Sequence, residues 1–232
     1  MRGKIPGMAR ASSIRVLPIR VTADSGAVRT DALAAGIAYA SAQGAQIILI
    51  DGSGTISQNQ AVDAALANAH AQGALIVAGT GDSGAATVGY PASSPHVLAI
   101  SATTWDDTLA PTSRYGTGVA LAAPGGTTAG QPSGVLVLNT GGGYTTRAST
   151  AVAAAHVAGT AAMMLARQPA ARPDMLLTTA RLRMLLQAGA RDLGAQGHDA
   201  SYGAGRLDVE RSLWLATHIE PQLVLPLVAR NW

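Results

Sequence analysis

The chain has 232 residues, of which 48% are apolar, 12% charged and 3% aromatic, with neither Phe nor Cys. That length allows one domain with a sizeable core of Ala, Val, Leu, Ile and Gly, and so little charge excludes a disordered chain. The net charge of +3 comes from scattered arginines with no basic run, which speaks against nucleic-acid or membrane-surface binding; the lack of Cys excludes thiol redox chemistry and thiolate metal sites.

The opening MRGKIPGMARASS is positively charged but has no apolar centre, so it does not read as a secretion signal, and no apolar run reaches membrane-spanning length. The compartment is therefore not legible. Ser13–Val21 (SIRVLPIRV) alternates and predicts a strand, with Pro18 marking an edge or bulge. Asp31–Ala42 predicts a helix ended near Gly44. Gln46–Ile50 (QIILI) is a short continuous apolar run, the pattern of a strand buried on both faces. Gln60–Ala71 predicts a second helix, closed by Gly73. Ala74–Ala78 (ALIVA) and Val97–Ser101 (VLAIS) predict two more buried strands. Strand, helix, strand, helix, strand is the order of crossovers that build a parallel sheet.

Val119–Ala122 and Val135–Asn139 predict short strands separated by a Gly/Pro/Thr-rich loop. Next comes YTTRASTAVAAAHVAGTAAMMLARQP, Tyr144–Pro169, entered from Gly141, Gly142 and Gly143. Ser149 or Thr150 suits an N-cap, Pro169 is a stop, and the interior is apolar on every side. A helix of that kind belongs at the centre of a domain. Helices over roughly Met175–Ala188 and Asp208–Thr217 follow. The domain is expected over residues 1–218, with 219–232 as a tail. The apolar run in that tail suits an added strand, a tether or a frayed end.

Ala155-His156-Val157-Ala158-Gly159 resembles the central helix of subtilisin-like serine proteases, which opens Gly-Thr-Ser-x-Ala-x-Pro-His-Val-Ala-Gly and carries the nucleophilic Ser. Counting back from His156 puts the family's Gly on Ser149, its Thr on Thr150, its Ser on Ala151 and its Pro on Ala155. Because the flanking Gly and Pro also differ, Ala151 does not read as a single designed substitution. Further motifs follow in the family's order. Gly44–Ser53 is similar to its Gly-Ala-Asp-Val-Ile-Asn-Met-Ser-Leu-Gly strand. Gly89-Tyr90-Pro91-Ala92 resembles its Tyr-Pro-Ala entry to a strand. Ala122-Ala123-Pro124-Gly125 resembles its Ala-Pro-Gly loop, and Tyr202–Asp208 its closing Tyr-Gly-x-Gly-x-Val-Asp. The resemblance covers most of the chain. It implies an α/β fold in three layers: a mostly parallel sheet, helices on both faces and a buried central helix, lacking the family's N-terminal strands.

Proteolysis by this family needs a hydroxyl, a His to take its proton, an Asp to orient that His, and donors for the oxyanion. By the resemblance, Gly7-Met8-Ala9-Arg10-Ala11 matches the linker after the family's His helix, so neither the Asp nor the His has a counterpart here. Asp82, in Gly79-Thr80-Gly81-Asp82-Ser83-Gly84, falls where an Asn donates to the oxyanion. An ionised carboxylate would repel that charge, although a protonated one can donate; as a plain turn residue Asp82 needs no such role. His156 matches a structural helix residue of the family. Reading His-Val-Ala-Gly-Thr as the family's catalytic-His helix would put that His on Ala153, which is no better. Leu49-Ile50-Asp51-Gly52 mimics the strand-end Asp motif, but its flanks fit the substrate-cleft strand. His70, His96, His198 and His218 lack ligand spacing, so no metal site is expected. Gly79-x-Gly81-x-x-Gly84 matches a dinucleotide fingerprint literally, yet loop residues follow where a helix should open.

The family's cleft walls fall on Asp51-Gly52-Ser53-Gly54 and on Gly79-Thr80-Gly81. Extended backbone there suits a peptide or protein segment as ligand, with Asp51 favouring a basic side chain. No cofactor is predicted; calcium enters only because the family commonly holds it. Two readings result: an inactive domain or pseudoprotease that keeps a peptide cleft, or a fragment of a longer serine endopeptidase whose Asp and His lie upstream or on another chain. Either leaves a truncated face, and low solubility or self-association is the expectation.

Overall fold

The computed structural model describes residues 14–52, 54–128, 134–139, 141–167 and 177–218. Strands β1 (Ile47–Ile50), β2 (Leu75–Gly79), β3 (Val97–Thr103) and β4 (Val119–Pro124) form one parallel sheet in that order. Successive side chains point to opposite faces, and two cores result. Ile48, Ile50, Ile76, Ala78, Val97 and Ala99 face helices α1 (Thr30–Ala42) and α2 (Gln60–Ala71). Leu75, Val77, Leu98, Ile100, Leu121 and Ala123 face α3 (Thr150–Ala166), α4 (Thr179–Gly189) and α5 (Val209–His218). The three layers expected from the sequence are therefore present.

Local chemistry sets the element ends. Asn59 caps α2 by accepting from the backbone N–H groups of Ala61 and Val62. Gly44 and Gly73 follow α1 and α2 with φ of 73° and 90°, left-handed conformations that close a helix and that other residues resist. α3 lies against all four strands and against α4 and α5. Ala153, Ala154, Val157 and Ala161 are fully buried, because their small side chains bring the helix close to the sheet.

Several expectations need correction. Ser13–Val21 is not a strand: among its described residues no ladder forms, and the only nearby pairing is an isolated bridge between Thr22 and Val28. Ile19 and Val21 instead rest on α1 at Gly36, where a Cβ would lie 3.2 and 2.9 Å from their methyl groups. β1 is not buried on both faces. It is the outer strand of the sheet, and Leu49 is 43% exposed on the α3 side. Nor is α3 enclosed all round, since Val152, Ala155, His156 and Gly159 form a stripe that solvent reaches. Tyr144–Arg147, read as the approach to that helix, is a strand, β6. It pairs antiparallel with β5 (Val135–Leu138) across a turn containing Gly142 and Gly143. The start of the Met175–Ala188 helix and the tail lie outside the described residues.

Candidate substrate cleft at the start of α3

The C-terminal end of β2 runs into the first turn of α3. A Cβ on Gly79 would sit 2.5 Å from the Thr150 carbonyl carbon, so only Gly lets that turn lie on the strand. Ser149 is the N-cap: its Oγ accepts from the N–H of Ala151 at 3.0 Å and donates to Asp82 Oδ2 at 2.6 Å. Asp82 Oδ1 accepts from the N–H of Thr150 at 2.7 Å. Thr150 Oγ1 in turn accepts from the N–H of Gly81 at 3.0 Å. A carboxylate thus occupies the positive end of a buried helix, where an anionic ligand would otherwise be drawn. The turn-residue reading of Asp82 accounts for only part of this. Ser149, not Thr150, is the cap.

Ala151, in the first turn of the helix, has a half-buried methyl group, and its N–H is already taken by Ser149. His156 stands a turn further on, half-buried, with Nδ1 bonded at 3.0 Å to the Val152 carbonyl. That is a bond within the helix, as its structural reading requires. Gly84 is followed by loop, so no helix opens at the glycine-rich run.

The two predicted walls differ in character. Asp51 and Gly54 are exposed, Gly52 is half-buried with φ 99°, and Ser53 lies outside the described residues. Gly54 donates to the carbonyl of Tyr90 at 2.8 Å. On the other side Gly79, Thr80 and Gly81 are buried. The N–H of Thr80 donates to Ile100 and its carbonyl accepts from Gly89, while the Gly81 carbonyl accepts from Arg114. Backbone groups there are already paired, and on the facing side the Gly54 N–H and the Gly52 carbonyl, which accepts from Thr55, are paired as well. Beneath both walls a Cβ on Gly89 would meet Gly54 Cα at 2.6 Å and the Thr80 carbonyl oxygen at 2.9 Å. The adjoining Tyr90 donates its hydroxyl to Asp63 Oδ1 at 2.9 Å, tying this floor to α2. Burial, followed by the bond to the Asp63 carboxylate, pushes the phenol up to about 12.

Arg114 escaped sequence reasoning. Its N–H donates to the Gly81 carbonyl at 2.8 Å, and its carbonyl accepts from Thr80 Oγ1 at 2.7 Å. The guanidinium donates through Nε to the Thr87 carbonyl at 2.8 Å and through Nη2 to Thr87 Oγ1 at 2.9 Å. Nη1 lies 3.1 Å from where a Cβ on Gly54 would be. No local pattern marks it, because its partners lie in the connection between β2 and β3, about thirty residues earlier in the chain.

The subtilase family model matches residues 4–205. Alkaline elastase YaB of Bacillus sp. (strain YaB) is 30% identical over 203 residues, or 86% of this chain and 48% of the elastase. Thermitase of Thermoactinomyces vulgaris is 32% identical over 160 residues, 69% of this chain and 54% of thermitase. The chain spans about half the length of these curated relatives. The crystal structure of a lanthipeptide protease superposes with a TM-score of 0.74, covering 85% of this chain and 69% of that one; at 22% identity this bears on the fold alone.

Proposed function

The chain belongs to the subtilase family, and we propose that it is a peptidase-fold domain that holds peptide segments in its cleft without cutting them. The observation that carries this reading is the Asp82 carboxylate seated on the first turn of α3 beside Ala151. Acyl transfer needs a nucleophile there and donors aimed at the oxygen that becomes negative. Ala151 has no nucleophile to offer. Its N–H is spent on Ser149, and Asp82 accepts where the resemblance calls for a donor. In subtilisin itself, removal of the nucleophilic Ser alone lowers turnover by about 10⁶-fold.

The test is labelling with a fluorophosphonate probe together with hydrolysis of casein and of fluorogenic peptides. No label and no turnover above buffer are expected, both for the natural chain and for Ala151→Ser. Restoring the hydroxyl leaves the Asp82 carboxylate in place, and it leaves His156 bonded to its own helix. Stoichiometric labelling of either protein would refute the proposal.

The edge of β1 favours a second reading. No strand pairs with the outer side of β1 among the described residues, and Leu49 is exposed beside it. A segment supplied upstream or by another chain, adding a strand there together with an Asp and a His, would make the chain a fragment of a longer serine endopeptidase, still without a nucleophile at Ala151. Under this reading, co-expression with such a segment gives a stable complex that the fluorophosphonate labels only when Ala151→Ser restores the hydroxyl.

A further inference from the structure

The geometry points to Arg114 as the residue that gives the cleft its selectivity: its guanidinium is a carboxylate receptor at the cleft floor. The inference rests on the reading of residues 51–54 and 79–81 as peptide-binding walls. It deepens that reading by naming the chemistry of the ligand.

Two of the three nitrogen arms are committed. Nε and Nη2 grip Thr87, so the plane of the guanidinium is fixed. The backbone of Arg114 is held at both ends, to Gly81 and to Thr80, so the side chain starts from a rigid base. Among the described residues the remaining arm, Nη1, has no hydrogen bond, and no carboxylate forms an ion pair with Arg114. It reaches the point where the two walls meet. From the Cβ position of Gly54, Nη1 is 3.1 Å away and Gly81 Cα 3.4 Å. Glycines at 54, 81 and 89 contribute no side chain of their own at that point.

The guanidinium of Arg114 is half-buried. It is weakly hydrated and positioned in advance, which suits recognition of a carboxylate by charge-assisted hydrogen bonds. Asp82 is engaged with Ser149 and Thr150, Asp51 stands on the exposed wall, and neither forms an ion pair with Arg114. An acidic group at the floor beside a basic residue at Asp51 would satisfy both charges. The carboxylate can come from a Glu or Asp side chain or from the C-terminus of a peptide.

Fluorescence anisotropy with one dye-labelled peptide scaffold separates these sources. One arm carries an internal Glu and an amidated end, one carries Gln instead with an amidated end, and one carries Gln with a free C-terminal carboxylate. At least one carboxylate arm is expected to bind roughly tenfold tighter than the neutral arm, and which one identifies the source. Arg114→Gln should abolish the difference while neutral binding persists. Arg114→Met is the second removal should the first variant melt early. Equal binding of all arms, or a preference that survives both substitutions, overturns the assignment to Arg114 but leaves the peptide cleft standing. No binding in any arm overturns both.

Discussion

Asp82 stands in a position whose sign matters more than its shape. Its two oxygens receive the N–H of Thr150 and the hydroxyl of Ser149, and Ser149 passes the chain of bonds on to the N–H of Ala151. The Thr150 N–H and the hydroxyl of the cap residue are thereby held by one side chain from a distant loop. Asp82→Ala leaves the Thr150 N–H without a partner and removes a negative charge from the positive end of the helix. Each loss is a standard capping or dipole effect, and together they are expected to lower stability by about 1–2 kcal/mol. Asp82→Asn keeps an oxygen for Thr150 and can donate to Ser149 Oγ, so its cost should be the smaller. Urea midpoints of the three proteins test that order. An Asp82→Ala chain as stable as the natural one would show that the carboxylate does not serve as a cap.

Between elements, the join that fixes the cleft floor is the bond from Tyr90 to Asp63, which ties the loop before β3 to α2. Because folding raises the phenol from about 10 to about 12, the folded chain holds this proton more tightly than the unfolded chain does. The stabilisation is whole below pH 10 and drains away as pH rises through about 12. Tyr90→Phe is expected to cost about 1 kcal/mol near neutrality. Its deficit against the natural chain should shrink in that alkaline window, as read by urea unfolding at stepped pH; a constant deficit would separate the bond from the titration. No local pattern announces this join, whereas much of the scaffold is written locally. Gly44 and Gly73 close α1 and α2 as read, and ALIVA and VLAIS become buried strands. Of the two cap residues read from the sequence, Ser149 caps α3 and Thr150 opens it. What stayed hidden depends on pairing at a distance. β6 is legible only once β5 is beside it, because Tyr-Thr-Thr-Arg is a plausible strand but an equally plausible approach to a cap. Ser13–Val21 has strand periodicity and no partner. QIILI looks like a central strand, yet sheet order makes it an edge. Arg114 acquires meaning only where the loop carrying Gly54 meets the one carrying Thr80 and Thr87.

For the molecule as a whole, the open question is which surface it hides. Among the described residues, two of the exposed apolar surfaces lie on strands. One is the outer edge of β1, with Leu49 beside the solvent-reached stripe of Val152, Ala155 and Gly159 on α3. The other is the β5–β6 hairpin, where Leu136, Leu138 and Tyr144 are exposed. The hairpin has four residues in each strand and stands apart from the main sheet, so little core is continuous with it. The β1 edge continues a buried parallel sheet, and a strand added there gains a full row of backbone hydrogen bonds as well as apolar cover. Self-association is therefore expected to run through β1. Sedimentation velocity over a concentration series should show reversible oligomers for the natural chain. Leu49→Lys puts a charge on that edge at a side chain already in water, so the fold should tolerate it within about 0.5 kcal/mol. It is expected to return the protein to monomer, while Leu138→Lys on the hairpin is expected to leave the oligomers unchanged. The opposite pattern would make the hairpin the contact surface, and a natural chain that is monomeric throughout would show that neither surface drives association.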